Sequence, residues 1–215
     1  MQLRWTLAVA LLGLYCYHFS FLYARLGGMP VAGGPGTVAS SNDRVQPPPA
    51  PSQHFRALNA KFFSASYPDN WKITSRDTDS ITVVAPGGVV TSKDGSLPAI
   101  AYGMVASIYQ PLNESGRKMS LADATNHLVS ELLNSNPHLH VIAEAAVSRR
   151  VGGQEAFSVT ARGQSPVGNQ SERNWIVTSS RPEGVWYVIF IAPEPDWNHY
   201  QPVFEQILFS VRFPR

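Results

Sequence analysis

The stretch VWYVIFIA, from Val185 to Ala192, is apolar at every position. Because successive side chains of a strand point to opposite faces, both faces of a strand here would be apolar. One face carries Val185, Tyr187, Ile189 and Ile191, and the other carries Trp186, Val188 and Phe190. A strand that is buried on both faces is typical of the centre of a sheet. The stretch therefore predicts a central strand with a helix packed against at least one of its faces.

Around this centre, after Phe55, the sequence consists of short alternating runs separated by turn residues. Gly152–Gly153 and Pro182–Gly184 are typical of the tight turns that connect antiparallel strands. The further strands that these signals predict are Phe62–Tyr67, Trp71–Thr74, Ile81–Ala85, Ala99–Ile108, His140–Ala146, Gln154–Arg162 and Arg173–Ser179.

Two helices are predicted. Ser120 is a typical N-cap, and apolar residues follow it at helical spacing until Asn134–Pro137 ends the run. A second helix lies between Asp196 and Phe209, with Pro202 inside it. Since proline removes a backbone donor, we expect a loose turn before Pro202 and regular helix only after it. Antiparallel strands with two helices predict an α+β fold, in which helices cover a mostly antiparallel central sheet.

Four segments of the sequence resemble known families. FSASYPDNW at Phe63–Trp71 and ILFSVRF at Ile207–Phe213 resemble the PsbP and Mog-type α/β/α sandwich superfamily. SERNWIVTSSRPEG at Ser171–Gly184 and YVIFIAPEPD at Tyr187–Asp196 resemble a bacterial accessory domain that occurs alone or behind zinc metallopeptidases. The resemblance extends over most of residues 55–215 and implies a PsbP-like sandwich with a non-catalytic binding or assembly role. It supplies no catalytic residues.

The N-terminal segment is a candidate membrane anchor. Residues 5–24 contain no Asp, Glu, Lys or Arg, and Arg4 and Arg25 flank them. About 20 apolar residues in a helix span a bilayer core. The alternative is a cleaved signal peptide, but its apolar centre would be shorter, and a cut after Ala24 would place bulky Leu22 where a small residue is preferred. His18 lies among aromatic residues that are typical of the membrane interface.

These features predict three regions and a location. Residues 1–26 form an uncleaved signal-anchor helix, residues 27–54 form a flexible Pro/Gly-rich linker, and residues 55–215 form the folded domain. We expect a single-pass protein of the bacterial inner membrane, with the C-terminal domain outside the cytoplasm in the periplasm.

Composition excludes several kinds of partner and site. The chain has 17 Lys and Arg against 15 Asp and Glu, and the basic residues are scattered, so nucleic acid is not an expected partner. Cys16, in the apolar segment, is the one cysteine. The domain can therefore form no internal disulfide and offers no thiolate metal site.

Catalytic motifs are missing from the sequence. It has no HExxH motif of a zinc peptidase. The segment GQSPVG at Gly163–Gly168 lacks the GxSxG pattern of a nucleophile elbow, so Ser165 is predicted to lie in an ordinary loop. His138, His140 and Glu144 would share one face of an extended strand and could hold a metal, but a solvated strand face explains them better. We expect no catalytic, cofactor-binding or metal-binding residues.

Large aromatic residues could line a ligand groove or fill the core. At alternating strand positions the core is the better interpretation. The residues concerned are Trp71, Tyr102, Trp175, Trp186 and Trp197.

Together these observations predict a membrane-tethered, extracytoplasmic module that binds a protein partner and is not an enzyme. It could serve an envelope protease or an assembly complex. The alternative is a divergent hydrolase whose site is assembled from Ser, His and Asp residues outside any recognised motif.

Overall fold

A computed structural model describes residues 48–90, 98–111, 116–142, 147–167 and 170–214. The predicted anchor at residues 1–26 and the linker up to residue 47 lie outside the described residues. Within the described ranges, no helix has the length and apolar character needed to cross a membrane.

The domain contains twelve described strands, two α-helices and a short 3-10 helix. The strands are β1 (Phe55–Asn59), β2 (Ser64–Pro68), β3 (Lys72–Arg76), β4 (Ser80–Val84), β5 (Val89–Val90), β6 (Ala99–Ile100), β7 (Gly103–Tyr109), β8 (His140–Val141), β9 (Val147–Val151), β10 (Gln154–Gln164), β11 (Ser171–Arg181) and β12 (Gly184–Pro193). The helices are α1 (Leu121–Ser135) and α2 (Trp197–Ser210), and the 3-10 helix Glu194–Asp196 precedes α2.

The main sheet is antiparallel and has the strand order β3-β4-β7-β12-β11-β10-β8, with β9 also paired to β10. The strand that contains VWYVIFIA, β12, lies between β7 and β11 at the middle of this sheet. The predicted α+β fold with a mostly antiparallel, helix-covered sheet and a central strand at Val185–Ala192 is confirmed.

Helix α1 begins where the sequence predicts. The Oγ of Ser120 accepts a hydrogen bond from the backbone N–H of Asp123 at 3.1 Å, which satisfies one free donor of the first turn. The buried side of α1 packs against β10 and β11. Its buried residues are Ala124, Thr125, Leu128, Val129 and Leu132.

The prediction for the second helix is wrong in one respect. Regular helix starts at Trp197, five residues before Pro202, and continues through the proline. Pro202 lacks the donor that would bond to Asn198, but Trp197 and Tyr200 are both buried in the first turn. Burial of these two aromatic side chains outweighs one missing hydrogen bond. The loose turn predicted directly before Pro202 is therefore regular helix, and the 3-10 helix Glu194–Asp196 lies further towards the N-terminus.

Several strand predictions need correction. The predicted strand Ala99–Ile108 is divided, because Ala99–Ile100 pairs with Val89–Val90 whereas Gly103–Tyr109 enters the main sheet. A Cβ on Gly103 would lie 2.4 Å from the carbonyl oxygen of Val83, so the strands approach each other too closely there for any other residue.

At the other edge, the described part of the predicted strand His140–Ala146 contains the short β8 at His140–Val141, and residues 143–146 lie outside the described residues. The predicted strand Phe62–Tyr67 starts at Ser64 instead. The sequence did not predict β1, whose exposed residues do not alternate with buried ones.

The sheet has two different faces. The aromatic face, on which Trp186, Val188, Phe190 and Ala192 of β12 lie, is covered by α2. The aliphatic face, on which Val185, Tyr187, Ile189 and Ile191 lie, is covered by α1. All five aromatic residues singled out in the sequence are buried in the cluster of the aromatic face. Their interpretation as core residues is confirmed.

Candidate functional site

Basic side chains form a row across one end of the aromatic face. Arg162 of β10 is directly opposite Arg173 of β11, and on the other side of β10 it is opposite His140 of β8. Residues that are directly opposite in an antiparallel pair share a face of the sheet. We call His140, Arg162 and Arg173 the arginine row.

Two like charges on neighbouring strands repel each other, and a counter-charge between them offsets the cost of this repulsion. Glu194 of the 3-10 helix provides this counter-charge. Arg173 donates to both carboxylate oxygens of Glu194, with Nε to Oε2 at 3.4 Å and Nη2 to Oε1 as the second bond. Arg162 Nη2 reaches Oε1 at 3.5 Å. One carboxylate therefore serves two guanidinium groups.

The charges of the row are partly recessed. The side chains of Arg173 and Glu194 are 29% and 27% exposed, against 41% for Arg162. The guanidinium of Arg173 also lies over the ring of Trp197, 5.1 Å from its centroid. Hydrogen bonds from Arg173 lower the pKa of Glu194, and Arg162 adds to the effect. Glu194 is therefore ionised at neutral pH.

A third arginine borders the row. The guanidinium of Arg149 lies 4.8 Å from the ring centroid of Trp175, on the same face. Trp175 is opposite Thr160, which is two residues from Arg162. The Nε atoms of Arg149 and Arg162 are buried and have no hydrogen-bond partner among the described residues. This end of the face thus combines three cations with one carboxylate, and the side chain of Arg162 is 41% exposed, which suits it to binding an anion.

The structure describes only two of the three residues that the sequence suggested as metal ligands. His138 and His140 are both exposed, and Glu144 lies outside the described residues. Across the part of the chain that the structure describes, no three His, Cys, Asp or Glu side chains are grouped so that they could hold a metal ion. His140 belongs to the arginine row instead.

Ser165 lies in the loop between β10 and β11, as the sequence predicts. Its side chain is 5% exposed, and its Oγ accepts a hydrogen bond from the backbone N–H of Val167 at 3.2 Å. This bond stabilises a turn. Ser165 is buried in a structural role and does not present a nucleophile to solvent.

A second polar cluster lies on the aliphatic face. The Tyr109 hydroxyl and His127 Nδ1 are hydrogen-bonded, and Glu131 Oε1 lies 3.5 Å from the same nitrogen. His127 and Glu131 are one helical turn apart on α1, with side chains 46% and 38% exposed. Burial, followed by the charge of Glu131, raises the pKa of Tyr109 above its ordinary value. Because the phenol and the carboxylate contact the same imidazole nitrogen, the ring does not relay a proton between them, and neither contact includes a serine or cysteine nucleophile.

The arginine row was not identified from the sequence, although a signal existed. The predicted strand Gln154–Arg162 ends at one arginine, and the predicted strand Arg173–Ser179 begins at the other. In an antiparallel hairpin, the last residue of one strand lies close to the first residue of the next. Glu194 gave no such signal, because only the 3-10 helix brings its carboxylate back to the row.

The sequence matches no protein-family model, and no curated protein matches it at a significant level. Among solved structures, the solution structure of cyanobacterial PsbP (CyanoP) from Synechocystis matches 85% of this chain and 98% of its own. Its TM-score is 0.51 and its identity is 11%. The domain has a PsbP-like fold. The resemblance inferred from the sequence is confirmed for the fold, and the association with zinc metallopeptidases stays a prediction.

Two further structures match the PsbP-like domain at lower TM-scores. A crystal structure from Bacteroides thetaiotaomicron has 11% identity and a TM-score of 0.46, and the match covers 72% of this chain but only 46% of that protein. LpqN of Mycobacterium tuberculosis, which is involved in cell envelope biogenesis, has 13% identity and a TM-score of 0.47, with coverage of 75% and 91%. At such identities the similarity concerns the fold alone.

Proposed function

We propose that the PsbP-like domain is a binding module without catalytic activity, and that its binding surface is the end of the aromatic face that contains the arginine row. In this proposal residues 1–26 anchor the chain in the inner membrane, and the Pro/Gly-rich linker holds the domain outside the cytoplasm. The partner is a protein, for example an envelope protease or a component of an assembly complex.

The observation that supports the binding surface is the shared carboxylate of Glu194. Two adjacent guanidinium groups have one counter-charge between them, and the side chain of Arg162 is 41% exposed. Arginine is favoured where planar carboxylates are recognised, because its donors match both oxygens. Holding such a group half-buried for stability alone brings little benefit, since its desolvation offsets much of the attraction.

Site-specific photo-crosslinking in cells that express the full chain tests this surface. A photoreactive residue at exposed His140 should yield a crosslinked protein partner. The same residue at Arg150, which is exposed on the opposite face of β9, should not. Arg162→Gln should reduce the product at His140 at least several-fold, whereas Arg150→Gln should leave it unchanged. Equal crosslinking from both positions, or a product insensitive to Arg162→Gln, would contradict the proposal.

The hydrolase alternative was expected from Ser, His and Asp residues, and the polar cluster that the structure offers for it is Tyr109, His127 and Glu131. It is tested by incubating the purified full chain with generic ester, peptide and phosphate substrates, with and without added zinc. We expect no saturable turnover. Turnover that His127→Ala abolishes, with unchanged thermal unfolding, would overturn the binding module in favour of an enzyme.

A further inference from the structure

We propose that the arginine row binds a carboxylate-bearing peptide segment of the partner, and that Glu194 is an internal competitor for this site. This inference rests on the proposed function and specifies the chemistry of the same surface. Glu194 already makes with Arg173 the two-pronged contact that a partner's Asp or Glu side chain would make.

The first step of the argument is the balance of charge. Arg149, Arg162 and Arg173 contribute three positive charges and Glu194 one negative charge, so these four groups together carry a net charge of +2 by difference. Neighbouring acids are directed elsewhere. Glu172 lies on the aliphatic face with Asn174, and Asp196 accepts a hydrogen bond from Tyr102 at 2.6 Å. The surface can therefore accept further anionic groups.

The second step is the spacing of the cations. The backbone of Arg149 is opposite Ala156 of β10, but its guanidinium lies over the ring of Trp175. Trp175 is opposite Thr160, and Arg162 is two residues further along the strand. Two residues of strand extend about 7 Å. In an extended peptide, acidic side chains two residues apart are separated by the same distance and point the same way. An acidic residue at every second position is thus the pattern that matches this surface.

The third step is the distinction between a peptide and a membrane. Anionic lipid headgroups attract basic side chains that extend into the interface. Arg173 is instead recessed over Trp197, and Glu194 lies beside it. A recessed guanidinium is accessible to a narrow side chain rather than to a flat bilayer. The surface therefore favours an acidic peptide over a lipid.

The probe is a fluorescent peptide with four Glu-Gly repeats and blocked ends, and the control peptide has Gln in place of every Glu. Binding to the purified full chain in a non-ionic detergent is followed by fluorescence anisotropy. We expect Arg162→Gln to weaken binding of the Glu peptide about tenfold, because it removes a charge-assisted contact. Arg150→Gln is the matched control, and it should change the affinity less than about twofold, as expected for an arginine on the other face.

The competitor is tested by Glu194→Gln, which should tighten binding of the Glu peptide about tenfold because the charge that opposes it is gone. Glu194→Asp should tighten binding less, because the shorter carboxylate reaches Arg173 poorly. The Asp variant also serves as the test if the Gln variant fails to fold, as judged by circular dichroism.

The outcomes separate this inference from the proposed function. Arg162-dependent peptide binding that neither Glu194 variant strengthens would overturn the internal competitor and leave the binding module intact. No preference for the Glu peptide, with crosslinking at His140 retained, would overturn carboxylate recognition alone. Arg162-dependent binding to vesicles with anionic lipid, without peptide binding, would replace the peptide with a membrane surface. Loss of both peptide binding and crosslinking would remove the proposed function as well.

Discussion

The two faces of the sheet are built from the same strands and differ in chemistry. On the aromatic face, rings pack against rings, for example Phe190 against Trp175 at 5.3 Å and against Phe204 at 4.9 Å between centroids. On the aliphatic face, branched residues such as Ile176 and Ile189 pack under α1. Alternation along β11 and β12 thus supports two cores at once, and each has its own way of accommodating polar atoms.

Buried polar atoms show the difference. On the aromatic face, Trp71 Nε1, Trp186 Nε1 and Tyr200 Oη are buried without a hydrogen-bond partner among the described residues. On the aliphatic face, the hydroxyls of Thr125 and Thr178 are hydrogen-bonded to each other at 2.6 Å. Large rings offset the cost of an unpaired polar atom by the area they bury, whereas small polar side chains depend on pairing.

The largest effect is expected from shortening a side chain in each core. Phe190→Ala should destabilise the domain by about 4 kcal/mol and Ile189→Ala by about 3 kcal/mol, because each leaves a cavity and only Phe190 also loses ring contacts. Urea unfolding followed by tryptophan fluorescence measures both. His138→Ala, at an exposed position, should change stability by less than about 0.5 kcal/mol. A larger loss of stability for Ile189→Ala than for Phe190→Ala would contradict the greater contribution expected from the aromatic side chain.

Glu172 is the exception on the aliphatic face, and it makes stability depend on pH. It is 8% exposed, and burial raises its pKa to about 7, from an ordinary value of 4.5. The unfolded chain therefore loses this proton before the folded domain does, and stability falls as pH rises from 4.5 to 7. Glu172→Gln should equal the wild type at pH 4 and exceed it by up to roughly 3 kcal/mol at pH 8. Unfolding curves across this range measure the difference, and a constant difference would show that the carboxyl does not titrate as stated.

The threonine pair should show an asymmetry. Thr125 Oγ1 donates to the carbonyl of Leu121, so Thr178 is the donor between the two hydroxyls. Thr125→Val leaves the fully buried Thr178 hydroxyl without an acceptor and should cost about 2 kcal/mol. Thr178→Val should cost less, since Thr125 keeps its bond to Leu121. Equal losses for the two single variants in urea unfolding would contradict the asymmetry, and a double variant whose loss equals the sum of the two single losses would show that the pair is not coupled.

The smallest effect is expected at two tyrosines of the aromatic face. Tyr102 donates to Asp196, so Tyr102→Phe should cost about 1.5 kcal/mol. The buried hydroxyl of Tyr200 has no hydrogen-bond partner in the described part of the chain, and Tyr200→Phe should leave stability within about 0.5 kcal/mol of the wild type or raise it. Thermal unfolding compares the two. A marked loss for Tyr200→Phe would mean that its hydroxyl is bonded after all.

Local patterns were sufficient to predict most of the fold. The uniform apolarity of Val185–Ala192 predicts a strand buried on both faces, and the Ser120 cap predicts the start of α1. Both depend on neighbouring residues and are therefore readable in one sequence. The path of the chain at Pro202 was not predicted, because the packing of Trp197 and Tyr200 against distant strands opposes the local preference of proline. The division of Ala99–Ile108 depends equally on a distant contact, between Gly103 and Val83.

What the sequence by itself determined is the alternation of apolar residues, since alternation is a property of consecutive positions and fixes which residues can face a core. Only the tertiary structure decided where charge collects. Arg149, Arg162, Arg173 and Glu194 are up to 45 positions apart in the chain, by difference of their numbers, and β-pairing together with the 3-10 helix brings them to one end of one face. Charges interact through space, so the attraction of this surface for an anion depends on distances between side chains. The order of residues in the sequence does not give these distances.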